Sequence, residues 1–144
     1  RTMGAAMELW LHADPDAAWG RILEDCKKPE FQRDLGPELV RASAPIPVAQ
    51  RIPWLLSLSR PELGESHLRQ AALRALVPHV ERVVVRDMFI QALRSPFFGV
   101  RNAAIDALGS LPDPLSRQAL TRYYKNATDA RQKRTIERLL QGKP

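Results

Sequence analysis

The 144 residues contain one cysteine, Cys26, so the chain cannot form an internal disulfide. A nucleophilic thiol needs a base and an orienting group. "LEDCKK" supplies acids and lysines, but the three histidines, His12, His67 and His79, lie far off in sequence. Cys26 therefore reads as a plain core or surface cysteine. The chain has no His-Glu-x-x-His and no paired cysteines, which removes the common zinc signatures. Its glycines do not gather into a phosphate-cradling loop. The reading therefore assigns no catalytic residue, no metal ligand and no cofactor, and it points away from an enzyme. No apolar run approaches the roughly 20 residues that cross a bilayer. "RTMGAAMELWLHADPD" lacks the basic, apolar and cleavage regions of a signal peptide. It also lacks an initiating Met, so the chain is expected to be a piece of a longer protein, with the cytoplasm as its compartment. Oligomeric state is not legible.

Charge of one sign is scarce in the second half. Residues 1–72 hold 9 Lys/Arg and 10 Asp/Glu, whereas residues 73–144 hold 13 and 6. The net charge of +6 therefore comes from the C-terminal half. A basic half can serve an anionic partner or simply form a solvated helical surface. Hydrophobic residues at 44% and charged residues at 26% are ordinary for a globular protein that buries one core.

What the chain does have is a repeat. "SHLRQAALRALVPH" aligns with "GVRNAAIDALGSLP" at a separation of 32 positions. The alignment pairs Leu68 with Val100, Arg69 with Arg101, and Ala72 with Ala104. It also pairs Leu73 with Ile105, Ala75 with Ala107, and Leu76 with Leu108. The apolar set 68, 72, 75, 76 and its copy 100, 104, 107, 108 form the stripe of an amphipathic helix. A weaker copy, "DARQKRTIERLLQG", places Ile136 and Leu139 at 31 positions from Ile105 and Leu108. Another, "QRDLGPELVRA", places Leu35 and Val40 at 33 from Leu68 and Leu73.

A second helix precedes each later copy: "PVAQRIPWLLSLSR", "ERVVVRDMFIQALR" and "DPLSRQALTRYYKN". The run Val83–Val85 has strand character, but its length with "RDMFIQALR" favours a helix. Breakers at Pro45 and Pro47, Pro61 with Gly64, Pro96 with Gly99, and Pro112 with Pro114 mark the turns. Asp14, Ser66, Asp113 and Asp129 are candidate N-caps, and Ser95 keeps a further possible cap. Trp10, Trp19 and Trp54 read as packing residues. The expectation is an all-α fold: a right-handed α-solenoid of stacked antiparallel helix pairs, about nine helices, in one domain over residues 1–144.

"SPFFGVRNAAIDALGSL" resembles the HEAT repeat, in its short bacterial form. Val100, Arg101, Ala103, Ala104, Ala107, Leu108 and Gly109 match the second-helix motif, and Leu68, Arg69, Ala71, Ala72, Ala75 and Leu76 match it again without the glycine. The chain departs from the pattern where Phe97 takes the place of a turn acid. It departs again where Lys133 and Arg134 stand in for alanines, as expected of a repeat whose face meets water. The resemblance implies a fold and small-residue helix contacts, and it names no substrate.

Three sets of residues carry the functional expectations. Phe97 and Phe98 lie in a turn. Packing predicts that at least one ring tucks beneath it, and binding predicts an exposed anchor for a partner. Arg69 and Arg101 share one place in the repeat. They read as a ladder that holds turn carbonyls or acids, or else as an anion-binding row. Arg122, Lys125, Arg131, Arg134 and Arg138 are candidate anion or nucleic-acid contacts, interrupted by Tyr123 and Tyr124. The combined reading is a non-catalytic scaffold that binds a protein partner and no membrane. A nucleic-acid-binding domain using the basic half is the first alternative, and an auxiliary helical domain of a larger enzyme the second.

Overall fold

The computed structural model describes residues 46–60 and 66–141, with isolated positions between 13 and 24 and between 38 and 44. Six α-helices and one short 3₁₀ turn make up the continuous stretches, and no strand occurs among the described residues. The helices are α1 (Val48–Leu58), α2 (Ser66–Leu76), α3 (Val83–Ala92), α4 (Phe98–Gly109), α5 (Pro114–Asn126) and α6 (Ala130–Gln141). The 3₁₀ turn spans Val77–His79. Any helices before α1, together with Cys26, Trp10 and Trp19, lie outside the described residues.

The repeat is visible in the helix boundaries. α2, α4 and α6 begin at Ser66, Phe98 and Ala130, at successive intervals of 32. For the last copy this corrects the 31-residue offset read from Ile136 and Leu139. The cap at Asp129 sets where α6 starts, and a start at Ala130 aligns Ile136 with Ala104. The valine run at 83–85 is helical, as its length favours.

The chain divides into two compact units, Arg1–Leu76 and Val77–Pro144. In the first, α1 packs against α2. Ile52, Trp54, Leu55 and Leu58 of α1 are buried, as are Leu68, Ala72, Leu73 and Leu76 of α2. Pro53 sits inside α1. An interior proline removes a hydrogen bond and costs about 3 kcal/mol. Each large side chain buried beside it contributes about 1.5–3 kcal/mol, so packing outweighs the breaker. The Ser57 hydroxyl donates to the Pro53 carbonyl at 3.0 Å.

In the second unit α4 is the central helix. It packs on α3, α5 and α6, while α5 also packs on α3 and α6. This arrangement is two helix pairs laid side by side. α4 buries Val100, Ala103, Ala104, Ile105, Ala107 and Leu108. Its small side chains keep the three neighbouring helices close, and Gly109 carries this furthest. A Cβ at Gly109 would lie 2.5 Å from Cδ1 of Leu139 on α6. α5 opens on Asp113, whose carboxylate accepts from the Ser116 amide at 3.1 Å, with Pro114 in the first turn. α6 opens on Asp129, which accepts from the Gln132 amide at 2.9 Å. Asp14 accepts from the Ala17 amide at 3.4 Å.

Candidate functional site

The two repeat arginines do the same job in their separate units. Arg69 Nε donates to the Ser59 carbonyl at 2.9 Å, and its side chain is buried. Ser59 is the C-cap of α1. Arg101 Nη1 donates to the Ser95 carbonyl at 3.0 Å, in the turn that follows α3. Arg69 thus serves an orphan carbonyl at the end of α1, and Arg101 serves a turn carbonyl two residues past the C-cap of α3. The connection from the serine to the arginine is ten residues in one case and six in the other. The contact therefore survives a change in turn length. A buried guanidinium engaged with backbone makes Arg69 a poor ligand for a free anion.

The phenylalanine turn departs from the packing expectation. Phe97 is 38% exposed and Phe98 43%, so neither ring tucks beneath the turn. Leu93, Ser95 and Val100, close by in sequence, are buried instead. Ser95 does not cap α4. Its hydroxyl accepts from the Phe97 amide at 3.1 Å, which holds Phe97 extended just before the helix. The Arg101 guanidinium lies 5.9 Å from the Phe98 ring centroid and covers one side of it. The turn is thus a rigid mount for two partly exposed rings.

On the α5–α6 seam the tyrosines are already occupied. The Tyr123 hydroxyl donates to Gln132 Oε1 at 2.6 Å. Gln132 is buried, and its amide nitrogen reaches the Phe98 carbonyl at 3.5 Å. The Tyr124 hydroxyl donates to Glu137, and Lys133 Nζ lies 5.0 Å from the Tyr124 ring centroid. Glu137 is the main cause of an upward shift in the Tyr124 pKa, with burial adding to it. Rings held in this way are not a free stacking platform. Arg122 and Lys125 are exposed on α5, and Arg131, Arg134 and Arg138 are exposed along one face of α6. Arg122 and Lys125 share a hollow, where Arg117 joins them.

Between α3 and α5 lies a cleft of about 250 Å³, lined by Ile90, Leu93, Ala119 and Tyr123 and edged by Arg94, Arg122 and Asn126. Elsewhere along the same helices, Arg86 Nη1 stands 3.5 Å from Asp113 Oδ2 and ties α3 to the start of α5. Burial raises the Asp113 pKa. Hydrogen bonding from Ser116 and the Arg86 charge together outweigh that and leave the pKa below its ordinary value. Among the described residues no group of His, Cys, Asp or Glu could hold a metal ion, and no helix is long and apolar enough to cross a membrane.

These helix pairs, with their 32-residue register and small-residue second helices, match the family model for HEAT repeats over residues 49–141. The chain belongs to the HEAT-repeat family. No curated protein and no solved structure matches it.

The HEAT register also locates residues that pattern reading passed over. Gln132 occupies the slot of Leu68 and Val100, an apolar position in the other two copies. A buried polar group in that slot signals a hydrogen-bond partner, and the partner is Tyr123. Counted from the helix starts, Lys133 holds the place of Arg69 and Arg101 and not that of an alanine, which corrects the motif comparison, and it turns to an aromatic ring. Arg94 and the Arg86–Asp113 pair carried no sequence signal, because the facing of α3 on α5 is a tertiary fact.

Proposed function

We propose that this HEAT chain is a non-catalytic interaction module that binds a protein partner. We further propose that residues 1–144 act as one right-handed α-solenoid domain of about nine helices within a longer cytoplasmic protein. The observation that carries the reading is the Phe97–Phe98 turn. Two adjacent aromatic rings, each more than a third exposed, are held on a backbone fixed by Ser95 and Arg101. Exposed aromatics on rigid loops are the usual anchors of protein interfaces. Arg101 contributes by fixing that turn, and Arg69 fixes the corresponding turn of its own unit.

The test places a photo-crosslinking amino acid at position 97 of the full-length protein in its own cells. The captured protein is then purified and titrated with the wild type and with Phe97→Ser/Phe98→Ser. Loss of an aromatic anchor should weaken binding about 30-fold or more. Unchanged affinity would overturn the assignment of the turn.

The exposed cations of α5 and α6 favour a second reading, nucleic-acid binding through Arg122, Lys125, Arg131, Arg134 and Arg138. The occupied tyrosines argue against it. Titration with a DNA duplex, a single strand and an RNA hairpin separates the two, since phosphate binding falls steeply with salt. Micromolar binding at physiological salt, lost in Arg131→Ala/Arg134→Ala, would install nucleic acid as the partner. A third reading, an auxiliary domain of an enzyme, is decided by the sequence that flanks this chain in its parent protein.

A further inference from the structure

The cleft between α3 and α5 has a chemistry of its own. Its floor is apolar, made by Ile90 and Leu93 of α3 and by Ala119 and Tyr123 of α5. Arg94 and Arg122 border it, and both are exposed. Among the described residues neither guanidinium joins an ion pair. α5 contributes no acidic residue along its whole length, Pro114–Asn126. Of the acids on or beside these helices, Asp113 at the opposite end is spent on Arg86 and on its own helix cap, and Asp87 of α3 is exposed and does not line the cleft.

Size and charge together select the occupant. A pocket that holds a whole small molecule is typically 300–1,000 Å³. At about 250 Å³ this cleft suits one large apolar side chain, with the chain that carries it passing outside. The unpaired cations at the rim then call for negative charge beside that side chain. A nucleic-acid strand would answer the same charge with phosphates, and its binding is one outcome of the test below.

We infer that the α3–α5 cleft is a docking groove for an acidic peptide segment of a partner protein. The segment places one large aliphatic or aromatic side chain on the Ile90–Ala119 floor and its flanking carboxylates on Arg94 and Arg122. The inference rests on the protein-binding reading above, but it uses a surface separate from the phenylalanine turn.

The groove is tested with the whole chain against a displayed library of random 12-residue peptides at physiological salt. The winners are then synthesised and titrated by fluorescence anisotropy. The expected winners carry acidic residues on both sides of a single large apolar residue. Arg94→Glu with Arg122→Glu should weaken them about tenfold or more, because both attractions become repulsions. Both positions are exposed, so circular dichroism should show an intact fold. Ala119→Trp, which fills the floor, should abolish binding. Amide shifts of labelled protein should move at Ile90, Ala119 and Tyr123. Winners lacking the acidic and apolar pattern, or indifferent to these variants, overturn the groove. If such peptides map to Phe97 and Phe98, the groove fails while the protein-binding reading stands. If no peptide is enriched and a 20-nucleotide single strand binds instead, both fail.

Discussion

Helices α4 and α6 start 32 residues apart, yet they live in different surroundings. α4 packs on α3, α5 and α6, whereas the main packing of α6 among the described residues is on α4 and α5. The difference is written position by position. Val100 is answered by Gln132, Ala103 by Thr135, and Ile105 by Glu137. Ile105 is fully buried, while Glu137 is exposed and accepts the Tyr124 hydroxyl. One backbone unit thus tolerates a dry environment and a half-wet one, provided that the register of its small residues and caps is kept. What fails to repeat is the side-chain chemistry on the faces that have lost a neighbour.

The largest effect should come from cutting the same side chain out of both helices. Leu108 is fully buried and its counterpart Leu140 only partly. Leu108→Ala should destabilise by about 3–4 kcal/mol and Leu140→Ala by about 1, as read from urea midpoints at constant slope. Equal losses would mean that the two environments are alike.

The second test concerns Gln132. Gln132→Ala strands the Tyr123 hydroxyl and should cost about 2 kcal/mol. Gln132→Leu restores the apolar residue of the other copies but strands the same hydroxyl. Adding Tyr123→Phe to Gln132→Leu should recover most of the loss, because replacing both partners is nearly neutral. A double variant no better than the single would show that Gln132 is held by something other than that hydrogen bond.

Asp113 comes third. Asp113→Ala removes a helix cap and the Arg86 ion pair, and should cost about 1 kcal/mol. Its folded pKa is depressed below the ordinary aspartate value of 3.8, so its contribution is complete above that pH. The contribution is lost as pH falls through the lower folded value, and the wild type and variant should converge in acid. Denaturation curves from pH 6 down to pH 2 measure this. A gap that widens on acidification would reverse the sign and refute the assignment.

The smallest effect sits at the point where α4 touches α6. Gly109→Ala gains helix propensity of up to about 1 kcal/mol but drives a methyl into the Leu139 tip. The net should be a loss under about 1 kcal/mol, since a partly exposed leucine can move aside. In a Leu139→Ala background the same substitution should become neutral or stabilising. A clear gain in the wild-type background would show that the approach of the two helices is looser than 2.5 Å implies.

Much of the fold was legible in the residues themselves. The stripe at 68, 72, 75, 76 and its copy at 100, 104, 107, 108 are local patterns, and so are the caps at Asp113 and Asp129. Periodicity and capping act within a turn or two of chain, so they can be read without knowing the neighbours. The alanines at 72 and 104 are fully buried, as the pattern requires. The candidate site was less legible. At least one ring of Phe97 and Phe98 was expected to tuck beneath the turn, yet both are more than a third exposed. Tyr123 and Tyr124 read as free aromatics among cations, yet each is held by a residue of α6.

The sequence by itself determined the all-helical character, the 32-residue spacing of the two best copies, the caps at Asp113 and Asp129 and the excess of positive charge in the second half. These follow from hydrophobic period, capping chemistry and composition, which need no partner helix. Only the tertiary structure decided which aromatics are exposed, that Arg69 and Arg101 serve backbone carbonyls, and that an apolar cleft edged by Arg94 and Arg122 opens between α3 and α5. Burial and pairing depend on which helix faces lie side by side, and residues far apart in the chain share those faces.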